Sequence, residues 1–194
     1  MELQATTASK NKLYLVLLGS KAARRNVEQH DYFFGIGNSI KDLVPQMKVF
    51  WPEAGASLHV DGWREVTAVE GYRIEVIEKD TESDLSGPQL FFINLGGYLS
   101  GKLIEQHHII LSVKDDRAMA IQDAKKTLFY KTNSIKGANS HIDEKYGVDV
   151  DEIYKIEEIL DPALKSKFRI KITQADALEE DKIELGYFKL DKLK

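Results

Sequence analysis

The sequence predicts an α+β protein of two tandem β-β-α-β-β repeats, with mainly antiparallel sheets each covered by a helix. The two copies are expected to be related by a pseudo-two-fold. The main observation is that the chain matches itself. "LYLVLLGS" (Leu13 to Ser20) falls on "LFFINLGG" (Leu90 to Gly97), and "NVEQHDYFF" (Asn26 to Phe34) falls on "LIEQHHIIL" (Leu103 to Leu111), both at an offset of 77. "HVD" (His59 to Asp61) reappears as "HID" (His141 to Asp143) after a five-residue lengthening. Three landmarks in one order are the signature of internal duplication. The second observation is periodicity, since each copy frames one helical pattern with short strand-like runs.

The elements follow in order. "LYLVLLG" is a short, continuously apolar run ended by Gly, suited to a strand buried on both faces. "VEQHDYFFGI" is a second strand, rich in aromatic and β-branched residues. Ser39 is a helix N-cap candidate with Asp42 at N3. Ile40, Leu43, Val44, Met47 and Trp51 recur at helical spacing and should face the sheet. Pro45 conflicts with a helix interior, where proline removes a hydrogen bond. In the second copy, Asp116 caps "RAMAIQDAKKTLFY" (Arg117 to Tyr130), a proline-free helix. "WREVTAV" (Trp63 to Val69) and "YRIEVIE" (Tyr72 to Glu78), separated by Glu70-Gly71, read as a hairpin. Their partners in the second copy are "IYKIEEI" (Ile153 to Ile159) and "FRIKITQ" (Phe168 to Gln174).

This reading divides the chain into an N-terminal tail (1–12), repeat unit 1 (13–78), an acidic Gly-Pro linker (79–89), repeat unit 2 (90–174) and a C-terminal extension (175–194). Within the extension, "KIELGYFKL" (Lys182 to Leu190) is an added strand that covers a sheet edge.

Composition narrows the function classes. With 43% hydrophobic and 30% charged residues the chain has an ordinary globular balance. A net charge of −4 argues against a general nucleic-acid or anionic-membrane binder. Absence of cysteine removes disulfides, thiolate metal sites and thiol nucleophiles. The opening "MELQATTASKNK" lacks an apolar h-region, and "LYLVLL" is too short to span a bilayer, so a cytoplasmic protein is expected.

Four of the five histidines fall on repeat-equivalent positions, His30 with His107 and His59 with His141. Residues two apart on a strand share a face. Glu28 therefore lies beside His30, and His59 beside Asp61, with Glu105, His107, His141 and Asp143 as their counterparts. These eight residues are the candidate binding set. Glu28, His30, His59 and Asp61, if they converge, suit zinc, iron or manganese. The residues favour a structural clasp, in which carboxylates satisfy neighbouring imidazoles, over a divalent-metal or ligand site. Acid–base catalysis ranks last, because no nucleophile or third group is identifiable. The loops after Leu18 and Leu95 match no phosphate-binding spacing, so their glycines are read as tight turns needing positive φ.

The blocks "LYLVLLGS…EQHDYFF…HVDGW…GYRIEV" and "LFFINLGGY…EQHH…HID" resemble a bacterial domain-of-unknown-function family, number 1543, in its tandem two-copy type. The resemblance covers about residues 13–174. Its departures are Ser20 for a second glycine, His108 for an Asp, and the longer second copy. It implies no activity, cofactor or catalytic residue. The expectation is a ligand-binding or protein-interaction module, not demonstrably an enzyme and needing no cofactor. It would pair with itself or a protein partner through a sheet edge. The alternative is a metal-dependent or acid–base enzyme using the Glu-x-His and His-x-Asp pairs.

Overall fold

The computed structural model describes residues 11–79, 87–98, 103, 105–126 and 148–194, with backbone alone at 98 and 148–151. Most of the expected linker, the end of the helix expected to reach Tyr130, and both His141 and Asp143 lie outside the described residues. The chain forms two compact units, residues 1–83 with 160–194 and residues 84–159. It is a mixed α+β fold whose described strand pairs are all antiparallel.

In the first unit, β1 (Lys12–Ser20) is the centre of a four-stranded sheet. It pairs on one side with β2 (Gln29–Gly37) and on the other with β3 (His59–Glu65). Between β2 and β3 the chain runs through a 3-10 turn (Ile40–Leu43), helix α1 (Val44–Phe50) and a second 3-10 segment (Pro52–Ser57). Asp42 caps this entry by accepting from the Ser39 N–H at 3.0 Å. Pro45 causes no break because the helix restarts at Val44, which puts the proline in the first turn where its missing N–H is not needed. Ile40, Leu43 and Met47 pack on Tyr14, Val16, Leu18 and Val60, with Val44 and Trp51 partly buried beside them.

The hairpin expectation needs correction. Glu70 and Gly71 form the turn, at φ 50° and 80°, but only β4 (Ala68–Val69) pairs across it with β5 (Tyr72–Glu78). Residues 63–65 belong instead to β3. The long partner of β5 is β9 (Phe168–Gln174), joined from Tyr72↔Gln174 to Glu78↔Phe168. These are the two strands that the sequence matched to each other as repeat equivalents. Glu75 faces Lys171 at the middle of this pairing. Finally β10 (Glu184–Lys189) adds to the free side of β3, so the sheet order is β10-β3-β1-β2. Phe188, Leu190 and Leu193 join the core beneath it.

In the second unit, β6 (Gln89–Tyr98) pairs with β7 (Glu105–Lys114) and β8 (Val148–Lys155). Helix α2 (Arg117–Ala124) is capped by Asp116, which accepts from the Met119 N–H at 2.8 Å. Ala120 and Ala124 bury against Phe91, Ile93 and Leu95. No helix among the described residues is long and apolar enough to cross a membrane.

Candidate functional site

The site is built on β1, β2 and β3 of the first unit. Gly19 faces His30 on one side and His59 on the other. Cross-strand partners project from the same face, so both imidazoles rise beside Gly19. Glu28, two residues before His30, shares their side. A bulge between Leu17 and Leu18 sets Val60 opposite Leu18 and Gly62 opposite Leu17. Asp61 is the extra residue, and such a bulge re-aims a side chain.

The four predicted side chains converge. His59 Nε2 lies 3.0 Å from Glu28 Oε1 and 3.2 Å from Asp61 Oδ1. His30 Nε2 lies 3.0 Å from Asp61 Oδ2 and 4.0 Å from Glu28 Oε2. Burial is graded, with side chains 4% exposed at His59, 22% at Asp61, 40% at Glu28 and 46% at His30. The cluster is therefore sealed at His59 and open to solvent at Glu28 and His30. His59 Nδ1 lies 2.8 Å from the Ser57 carbonyl oxygen. Ser57 is itself tied down, donating from its hydroxyl to Ala54 O at 2.8 Å and meeting the fully buried Ser20 hydroxyl at 2.6 Å. Within the cluster, His59 Nε2 and Asp61 Oδ2 are buried without an aligned hydrogen-bond partner. Among the described residues no group of three or more His, Asp or Glu is arranged so that it could hold a metal ion as it stands; the side chains form close His–carboxylate contacts.

Gly19 is the residue that sequence reasoning misread. It is not a turn glycine: it lies inside β1 and is absent from the positive-φ positions. Its value is the missing side chain, because a Cβ there would collide with His59 Nε2 and Asp61 Oδ2. The signal was present in "LGS", but a strand glycine marks a close approach only once its neighbours are known.

The second unit also sets a strand glycine between two polar residues. Gly96 faces His107 on β7, as Gly19 faces His30. On β8, however, Gly96 faces Asp149, and a bulge between Asn94 and Leu95 follows as in β1. Asp149 pairs with Gly96 and Ile153 with Ile93, as His59 pairs with Gly19 and Trp63 with Val16. His107 Nε2 lies 4.0 Å from Glu105, and its Nδ1 lies 3.3 Å from Asn94 Oδ1.

Residues 25–76 match the family model described as Domain of Unknown Function (DUF1543). That span contains all four clustered residues and excludes β1 with Gly19. Among solved structures, the crystal structure of a protein Il1583 from Idiomarina loihiensis is similar, at a TM-score of 0.61 and 21% identity. The match covers 93% of this chain and 97% of that one. At that identity it supports the fold alone. No curated protein matches the chain.

Proposed function

We propose that this protein binds a divalent transition metal, one ion per chain, between Glu28, His30, His59 and Asp61 of its first unit. One observation carries the reading: His59 Nε2 is buried without an aligned hydrogen-bond partner while Nδ1 is committed to the Ser57 carbonyl. A carbonyl only accepts, so Nδ1 carries the proton and Nε2 of the neutral ring offers a lone pair. Carboxylate oxygens flank that lone pair off its axis, at 3.0 and 3.2 Å from Nε2. Such an arrangement is repulsive unless a cation lies among the three atoms. A second proton on Nε2 would relieve it less well, because neither oxygen lies in line with the N–H direction.

The chemistry of the set supports the same reading. Donors held about 2.0–2.2 Å from a shared ion stand roughly 3.0–3.5 Å from one another, close to the separations seen here. Two imidazoles and two carboxylates suit zinc, iron or manganese better than calcium, which prefers oxygen throughout. A backbone carbonyl that fixes the tautomer of a ligating histidine is the usual second layer of support. The exposed side at Glu28 and His30 leaves room for water or a small substrate on the ion. A metal-dependent enzyme would need that opening, and a binding module would tolerate it.

We read the chain as a duplication, supported by the parallel order of β1-β2-α1-β3 and β6-β7-α2-β8 and by their matched bulges. The second copy has lost the buried imidazole, which is why one ion per chain is proposed.

The test is metal analysis of protein purified without a His-tag, repeated on the His30→Ala, His59→Ala double variant. The reading expects about one equivalent of metal in the parent and almost none in a folded variant. Metal-free parent protein that zinc, iron and manganese all fail to stabilise would instead leave the four residues as a clasp.

A further inference from the structure

We propose that the cavity lined by Trp51, His59 and Tyr187 binds a small organic anion carrying one planar ring, with a carboxylate or phosphate as its acid group. The cavity measures about 660 Å³, within the range that holds small-molecule ligands. Trp51, Pro52, Leu58, Tyr187 and Leu190 line it together with His59, and Lys48 and Lys189 also line it.

Three observations point to this ligand class. The first is charge. Neither lysine is engaged by another described residue, and the lining acid, Asp191, is 3.8 Å from Lys192. Unpaired cations in a chain with 31 acidic and 27 basic residues are a local reversal of its charge balance, and they favour an anion. The second is Tyr187. The pairing of β10 with β3 shifts register between Leu185 and Phe188, where Gly186 sits at φ 155°. This bulge sends Phe188 into the core and lays Tyr187 against His59, with ring centroids 4.3 Å apart. Tyr187 nonetheless remains 65% exposed, so much of an aromatic ring is left for a planar guest. The third is shape. Gly55 lines the cavity, and a side chain there would meet nothing within 4 Å, so the space above it is open. The proposal does not need the cation, because Glu28, His30 and Asp61 do not line this cavity.

The experiment is a nitrogen–proton NMR titration of the full chain in EDTA, which keeps the outcome separate from the metal reading. The probes are benzoate, phenyl phosphate and neutral benzamide. The two tryptophan indole signals report separately, since Trp51 lines this cavity and Trp63 lines another. We expect the Trp51 signal to shift with benzoate or phenyl phosphate, the Trp63 signal to stay in place, and benzamide to bind at least about ten-fold more weakly. The preferred anion then identifies the acid group. A Lys48→Ala, Lys189→Ala variant should lose about ten-fold or more in affinity for it. Both lysines are exposed, so the variant should keep the parent spectrum elsewhere. Equal binding of benzamide, equal affinity in the variant, or a Trp51 signal unmoved by either anion would overturn the proposal.

Discussion

The imidazole of His59 occupies the space where a side chain on Gly19 would begin. Its Nε2 and Asp61 Oδ2 both lie closer to that point than a real Cβ tolerates. A strand glycine thus forms the floor of a four-residue cluster whose members come from β3, from β2 and from the residue just before β2.

The first prediction concerns that floor. Gly19→Ala should push His59 and Asp61 apart at a cost of about 1–3 kcal/mol, the usual range for overpacking a tight site. Metal affinity should fall by more than the roughly 10–100-fold expected from disturbing a supporting residue. Thermal melts with calorimetric zinc titration check both effects. Parent-like affinity in the alanine variant would mean that the cluster does not use this space.

Ser20 should act as a positioning residue. Its buried hydroxyl meets Ser57 Oγ at 2.6 Å, and the Ser57 carbonyl orients His59. Ser20→Ala should cost about 1 kcal/mol of stability and lower metal affinity about ten-fold without changing stoichiometry. Ser20→Thr keeps the hydroxyl and should recover part of the affinity if the methyl is accommodated. An unchanged affinity beside a lower melting temperature would assign the hydroxyl to stability alone.

The second unit should not contribute an ion. His107 stands beside Glu105 and Asn94, and the residue paired with Gly96 on β8 is Asp149. His107→Ala should leave the metal content at one per chain, whereas His30→Ala should remove it. Mass-spectrometric metal counting on the two variants decides between one site and two.

Tyr14 should make the protein sensitive to alkali. Burial, and next the charge of Glu65, hold its phenol well above the ordinary value of 10.0. The unfolded chain therefore ionises this tyrosine first as pH rises, and linkage favours unfolding above about pH 10. The contribution is complete below that value and declines as pH climbs toward the raised folded pKa. Tyr14→Phe should flatten this part of the alkaline stability curve, measured by urea unfolding at stepped pH.

Asp181 should anchor the C-terminal tail. Its side chain is only 3% exposed and accepts from the Thr67 N–H at 3.1 Å and the Thr67 hydroxyl at 2.6 Å. Asp181→Ala leaves a backbone donor without its acceptor and should cost about 1.5–3 kcal/mol. A chemical denaturation midpoint measures the loss.

Much of the fold was legible because the relevant signals are local. Ser39 with Asp42, and Asp116 ahead of its helix, act as caps because capping depends on residues within one turn. The apolar spacing of Ile40, Leu43 and Met47 buries as expected, since helical period alone sets which residues share a face. Glu70-Gly71 was legible as a turn, but the length of its hairpin was not. Tyr72–Glu78 found a longer partner in Phe168–Gln174, and no local pattern encodes a choice between distant strands.

By itself, the sequence determined which side chains travel together, Glu28 with His30 and His59 with Asp61, because alternation along a strand puts residues two apart on one face. Only the tertiary structure decided that the pairs meet. That outcome depends on the register of β2 and β3 against β1, on the bulge that turns Asp61 inward, and on the empty space above Gly19. Register likewise places Asp149 opposite Gly96. Register and bulges follow from packing between strands far apart in the chain, so the local sequence pattern does not contain them.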